Sequence, residues 1–431
     1  MQSNVAKDCS FQWLNVTPGR WERSMDVREE ALLEWTSRPC TEEAGCPYFA
    51  LVYSKLNHSF SDQEMLRRLR EAWRSMRLNH PSIASYPDAA TPRMVYEVVT
   101  DDEDIDEWTN RTFSCLSDDV SAGELWPRVD TTSHMVFLRY LPNSREIMLG
   151  IHHILIDGGG VVMLLNNILE AAVASNRDKM ILPSPADQVA RLSLPLQAVA
   201  GSASLSPDIW DEARSIVNEW VSKRKAIPGT IGVAPTGDLN QPLGRRCEQM
   251  SLLLSSDETR RLLAAAKAAR LTMSVATHAA VMIASKHHGG DDLNHGRNWV
   301  SSLVFGYRHL ARPPYDSDRY PIGIMSTGFP QVIENPVDFA DAAAKLKVAY
   351  KFWQFHPKAV DLMLPIKSLT EQALKQETAV APKCAVANTS GLGILSGLKE
   401  QYGEAGEVEL LSFAGGMREH GEKTISHRVF N

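Results

Sequence analysis

A mixed α/β fold in two tandem halves is the architecture the sequence predicts, and three observations carry it. Strand-like and helical runs alternate along most of the chain. Each half opens on a strand followed by a helix with a capping-box signature, Ser61-Asp62-Gln63-Glu64 in the first and Ser255-Ser256-Asp257-Glu258 in the second. At 431 residues the chain is too long for one ordinary core.

The elements follow in order. Residues 47–53 combine aromatic and aliphatic side chains and read as a strand. After Ser61, Met65, Leu66, Leu69, Ala72, Trp73 and Met76 recur at helical spacing, and Asn79-His80-Pro81 ends that helix. Residues 94–99 form a further strand. Residues 135–141, a turn at 142–145 and residues 146–156 read as a strand, turn and antiparallel strand. The glycines at 158–160 break the strand, and a helix over 161–174 places Val162, Leu165, Ile168, Leu169 and Val173 on one side. Prolines and glycines crowd 183–244, so the expected division is 1–195, a linker or crossover at 196–245, and 246–431. Residues 209–225 read as a helix inside the linker. The second half restarts with a strand at 247–254, helices from Ser255 and over 274–286, and strand-like runs at 298–305, 383–387 and 408–413.

Composition narrows the class. A hydrophobic fraction of 44% and a charged fraction of 23% belong to a soluble globular protein. A net charge of −7 argues against nucleic acid or an anionic membrane as partner, since both demand concentrated positive charge. Cys9, Cys40, Cys46, Cys115, Cys247 and Cys384 form no CxxC pair, and no His/Cys cluster has zinc-finger spacing, so free thiols in a reducing cytosol are expected. Residues 1–10 carry no apolar signal region and no apolar run approaches the roughly 20 residues a membrane span needs, which points to an unprocessed cytoplasmic chain.

The chemistry concentrates in His152-His153-Ile154-Leu155-Ile156-Asp157-Gly158. A histidine accepts a proton near neutral pH if its other ring nitrogen is held by a partner. On an extended strand adjacent side chains diverge, so one histidine is structural and the other is available for chemistry. Parity groups His153 with Ile147, Leu149, Ile151 and Leu155, and His152 with Met148, Gly150 and Ile154, without saying which face meets substrate. Divergence also argues against one metal ion chelated by both. The bland alternative is a buried structural pair. The chain has no GxSxG elbow and no GxxxxGK[ST] loop, and Gly158-Gly159-Gly160 is not GxGxxG.

HHxxxDG on a strand leading into a helix resembles the signature of the chloramphenicol-acetyltransferase-like superfamily. That superfamily includes plant BAHD acyltransferases, condensation domains of peptide synthetases and fungal trichothecene O-acetyltransferases. Asn79-His80-Pro81-Ser82-Ile83 resembles the family's turn after the first helix, residues 254–275 its strand-helix passage into the second half, and Gly306-Tyr307-Arg308 its inter-half arginine. Thr389-Ser390 stands where the BAHD pattern has Thr-Ser. Ser412-Phe413-Ala414-Gly415-Gly416 departs from the BAHD ending DFGWG, keeping only the Phe and the last Gly.

The resemblance implies two chloramphenicol-acetyltransferase-like domains with an active-site tunnel between them. It implies acyl transfer from acyl-CoA to a hydroxyl or amine of a small secondary metabolite. His153 is then the general base, Asp157 a brace paired with Arg308, His152 and Gly158 supports, and Thr389 or Ser390 a donor near the oxyanion. No metal and no bound cofactor are expected; acyl-CoA is a co-substrate, with an acyl-carrier protein as the alternative donor, and the chain is expected to be a monomer. A competing reading keeps the fold but assigns an acyl-independent cyclisation, dehydration or isomerisation.

Overall fold

The computed structural model describes residues 11–36, 49–88, 90–129, 135–174, 181–201, 206–227, 229–233, 250–290, 294–375, 386–393, 395, 397–418 and 424–430. In the first half, strands β1 (Leu14–Thr17), β2 (Arg20–Ser24), β3 (Phe49–His58), β4 (Tyr86–Pro87), β5 (Arg93–Glu97), β6 (Phe113–Cys115), β7 (Val136–Leu141) and β8 (Glu146–His152) alternate with helices. The second half adds β9 (Trp299–Gly306), β10 (Ser326–Ile333), β11 (Val386–Gly393), β12 (Gln401–Tyr402), β13 (Val408–Arg418) and β14 (Thr424–Phe430).

The central sheet runs β12-β13-β3-β8-β7-β6. Strands from the end of the chain therefore complete a sheet begun in the first half, with β13 antiparallel to β3. The stretch 412–416 lies inside this pairing, where Gly415 faces Val52. A Cβ on Gly415 would lie 2.6 Å from the Leu51 carbonyl oxygen, so glycine lets the two backbones approach.

All seven residues of β8 are buried, because both faces of the sheet are covered. One face packs Val136, Leu138, Ile147, Leu149 and Ile151 under the helices Asp62–Asn79 and Gly158–Val173. The helix Asp62–Asn79 forms where the sequence places it, with Ser61 capping the Glu64 amide and Met65, Leu69, Ala72, Trp73 and Met76 buried. The other face packs Phe49, Phe137 and Met148 against Trp126. Gly150 sits between the Phe49 and Phe137 rings, and a Cβ there would come within 2.3 Å of Phe137 Cζ.

A second core gathers Trp299, Leu303, Phe329, Leu346, Trp353 and Leu362. Leu196, Val199, Ile209, Ala213, Val217 and Ile231, from the stretch expected as a crossover, pack into this core, three of them from the helix Pro207–Ala226. In the second half two expected elements differ. Residues 250–254 carry no regular structure, and 247–249 lie outside the described residues. The expected strand at 383–387 begins at Val386, with 383–385 also outside them. Among the described residues no helix is long and apolar enough to cross a membrane.

His80, in the turn after the first long helix, ties the halves together. Its Nδ1 donates to the Arg319 carbonyl at 3.0 Å. Its Nε2 accepts from Asn167 Nδ2 at 3.2 Å, and that amide also donates to the Asp318 carbonyl. Acceptance at Nε2 requires the neutral ring. Burial lowers the pKa of His80, His152 and His278 to about 4 from 6.5. The unfolded chain thus takes up protons first as pH falls through 6.5, and stability drops between there and about 4, each histidine contributing on the order of 3 kcal/mol. Asp26 acts oppositely: burial, then the neighbouring Glu29, raises its pKa to about 7, so its contribution fades as pH rises from 3.8. The histidines outnumber it. Urea titrations at pH 7 and pH 5 should show lower stability at pH 5; equal midpoints would contradict this account.

Candidate active site

The strand carrying the motif ends at His152, four positions short of the end at 156 that the sequence predicts, and residues 153–155 form a turn. Strand parity therefore fails at His153, and hydrogen bonding separates the two rings instead. His152 is buried and sits edge-on to Phe49, with ring centres 6.3 Å apart. Its Nδ1 accepts the Ile154 amide at 3.1 Å, so its proton lies on Nε2. Burial, reinforced by His153, keeps it neutral.

His153 is half-buried and has the opposite tautomer. Its Nδ1 lies 2.5 Å from the Ile156 carbonyl oxygen. A carbonyl only accepts, so Nδ1 carries the proton and Nε2 carries the lone pair of the neutral ring. The three-residue turn makes this contact, which the straight strand would have prevented. His153 Nε2 is thus a basic nitrogen on an imidazole whose orientation is fixed by the backbone.

Asp157 is the N-cap of the helix Gly158–Val173, its Oδ1 accepting the Gly160 amide at 2.8 Å. The glycines expected to break the strand are the first helical turn. An aspartate directly before a helix is a sequence-visible cap, and that signal was available at Asp157. The same carboxylate reaches the second half: Oδ2 accepts the Met325 amide at 2.8 Å, and Arg308 Nη2 lies 3.4 Å from Oδ1. Arg308, just after β9, also donates to the Tyr320 carbonyl at 2.8 Å. Backbone pairing completes the joint, with the Gly323 amide donating to Leu155 at 2.7 Å and the Asp157 amide to Gly323 at 3.3 Å. Pro321, Gly323 and Met325 are the participants that no local pattern marks.

The joint is close-fitting. A Cβ on Gly160 would lie 2.2 Å from the Pro321 carbonyl oxygen, a backbone atom held by the second half. Gly160→Ala should therefore cost about 1–3 kcal/mol by thermal or urea unfolding, as overpacking does; a neutral substitution would mean the halves meet more loosely. A Cβ on Gly158 would meet Leu392 Cδ2 at 2.2 Å. That brings β11, the strand of Thr389 and Ser390, against the start of the motif helix. Both residues are half-buried, and Thr389 Oγ1 is a buried hydroxyl with no hydrogen-bond partner among the described residues.

The chain has the chloramphenicol-acetyltransferase-like fold that solved O-acetyltransferase and condensation-domain structures share. The structure of the trichothecene 15-O-acetyltransferase TRI3 from Fusarium sporotrichioides superposes with a TM-score of 0.77 at 17% identity, covering 98% of this chain and 90% of that one. The first condensation domain of the calcium-dependent antibiotic synthetase superposes with a TM-score of 0.60 at 15% identity, covering 94% and 87%. In sequence, the chain is 28% identical over 328 residues to the acetyltransferase pigO of Monascus ruber, covering 74% of this chain and 68% of pigO. No protein-family model matches.

Proposed function

We propose that this protein is an acyltransferase that moves an acyl group from acyl-CoA to a hydroxyl of a small secondary metabolite, with His153 as the general base. The observation that carries the reading is the His153 tautomer. With Nδ1–H committed to the Ile156 carbonyl, Nε2 accepts the proton of the acceptor hydroxyl as that oxygen attacks the thioester carbonyl. The tetrahedral intermediate collapses with loss of the CoA thiolate, and the Nε2 proton returns to that sulfur. Thr389, with its unpartnered hydroxyl on β11, is the donor suited to the oxyanion. Asp157 takes no proton: three donors occupy it, and its task is to hold the motif turn against the second half, where a tunnel between the halves would bring the two substrates together. Similarity to acetyltransferases supports the acyl-transfer class.

The test is thioester dependence. Purified protein, acetyl-CoA and a panel of polyketide-type alcohols should yield a product heavier by one acetyl group, with stoichiometric release of free CoA thiol. Turnover with an acyl-carrier thioester but not with acyl-CoA would reassign the donor. Conversion of an acceptor with no thioester present would overturn the reading in favour of an acyl-independent reaction.

A further inference from the structure

The helix Phe339–Gln354 carries two apolar faces and buries only one. Ala342, Ala343, Leu346, Ala349 and Trp353 point into the second core. A further apolar row faces outward: Val348 is 72% exposed, Phe352 47% and Phe355, which caps the helix end, 69%. These three stand at i, i+4 and i+7, so they lie along one side of the helix as a seam one side chain wide.

The middle of the seam is held in place. The Phe352 ring stands edge-on to the Trp353 and His356 rings, with centres 4.9 Å apart in each case. Trp353 in turn stacks on Phe329 inside the core, and His356 Nε2 lies 3.2 Å from Glu212 of the helix Pro207–Ala226. A half-exposed aromatic ring that is already fixed loses little entropy when a partner covers it, which is the character of an interface anchor.

Charge along the seam has one dominant sign. Lys347 and Lys351, each one position before a seam residue, form an exposed parallel row. Lys345 pairs with Asp341 at 2.7 Å, but neither Lys347 nor Lys351 has an ion pair among the described residues. At the far end Lys358 and His356 share the one carboxylate of Glu212, at 3.1 and 3.2 Å. The rim is thus basic on a chain whose net charge is −7.

We infer that this seam is a docking surface for an amphipathic helix of a partner protein, one whose apolar side chains are flanked by carboxylates. A single-file apolar row fits the apolar edge of one helix, and carboxylates complement Lys347 and Lys351. A second copy of this chain fits worse, because two copies meeting through the seam bring their lysine rows together. A lipid surface also fits worse, since it takes up a broad apolar face. The surface does not depend on the acyl-transfer reading.

Fluorescence anisotropy with two labelled, side-chain-stapled helical peptides tests it. Both carry leucine at the a and d positions of three heptads; one has glutamate at e and g, the other lysine. The glutamate peptide should bind once per chain, about tenfold or more tighter than the lysine peptide, and should weaken as salt is raised. Phe352→Ser, and Lys347→Glu combined with Lys351→Glu, should each weaken it about tenfold or more. Leu411→Ser, at an exposed apolar residue of β13, should leave it within about twofold. Should Phe352→Ser lose its fold by circular dichroism, Val348→Ser decides, because that side chain is the most exposed of the three. Equal binding of the two peptides, no binding of either at about 100 µM, or unchanged binding in the seam variants overturns the inference. So does a wild-type dimer in sedimentation that Phe352→Ser dissociates, which gives the seam to a second copy. Capture on phosphatidylcholine–phosphatidylserine vesicles that Phe352→Ser abolishes overturns it in favour of a lipid surface. None of these residues belongs to the site around His153, so the result stands apart from the fate of the transferase reading.

Discussion

His153→Ala is expected to lower kcat for acyl transfer by about 10²- to 10⁴-fold, the usual span for removing a positioned general base. Stability should change little, because the side chain is half-buried and its hydrogen bond to the Ile156 carbonyl is worth about 1 kcal/mol. His152→Ala should do the reverse. It removes a buried ring packed on Phe49 and strips the Ile154 amide of its acceptor, so unfolding should come about 1–3 kcal/mol earlier. Any activity His152→Ala loses should be recovered at lower temperature, whereas the His153→Ala loss should persist. Full turnover by His153→Ala on a proven substrate would falsify the assigned role. Equal behaviour of the two variants would mean that the opposite tautomers do not separate their tasks.

Asp157→Ala is expected to destabilise the protein by about 3–5 kcal/mol, the range for removing one partner of a buried ion pair. The carboxylate is 4% exposed and makes three contacts that alanine cannot replace: the Gly160 cap, the Met325 amide and Arg308. Asp157→Asn should cost less, since its carbonyl still caps the helix while its amide group cannot accept from Met325. Urea unfolding of both variants, with Arg308→Ala and the double mutant, gives the coupling directly. Additive costs in that cycle would show that Arg308 braces the site through Tyr320 and not through Asp157. A total loss below about 1 kcal/mol for Asp157→Ala would remove the brace from the account.

Much of this was legible in the sequence because it is local. The helix Asp62–Asn79 follows from the Ser61 cap and the 3.6-residue spacing of Met65, Leu69 and Met76, and β7 and β8 follow from two apolar runs around a turn. The motif supplied the candidate base and its aspartate. The strand end at His152 was not legible: Ile154, Leu155 and Ile156 are as strand-prone as their predecessors, and what bends them is docking to Gly323. Residues 250–254 show the opposite failure, apolar enough for a strand and yet in no strand among the described residues.

The sequence by itself determined the chemistry available here: a histidine pair and an aspartate four residues on, in a mixed α/β chain. The tertiary structure decided which histidine nitrogen is basic, what Asp157 holds, and that strands near the end of the chain close a sheet begun at Phe49. The physical reason is one of distance along the chain. Caps and apolar periodicity act within a few residues, whereas the Met325 amide is 168 positions from Asp157, and only the folded chain brings them into contact.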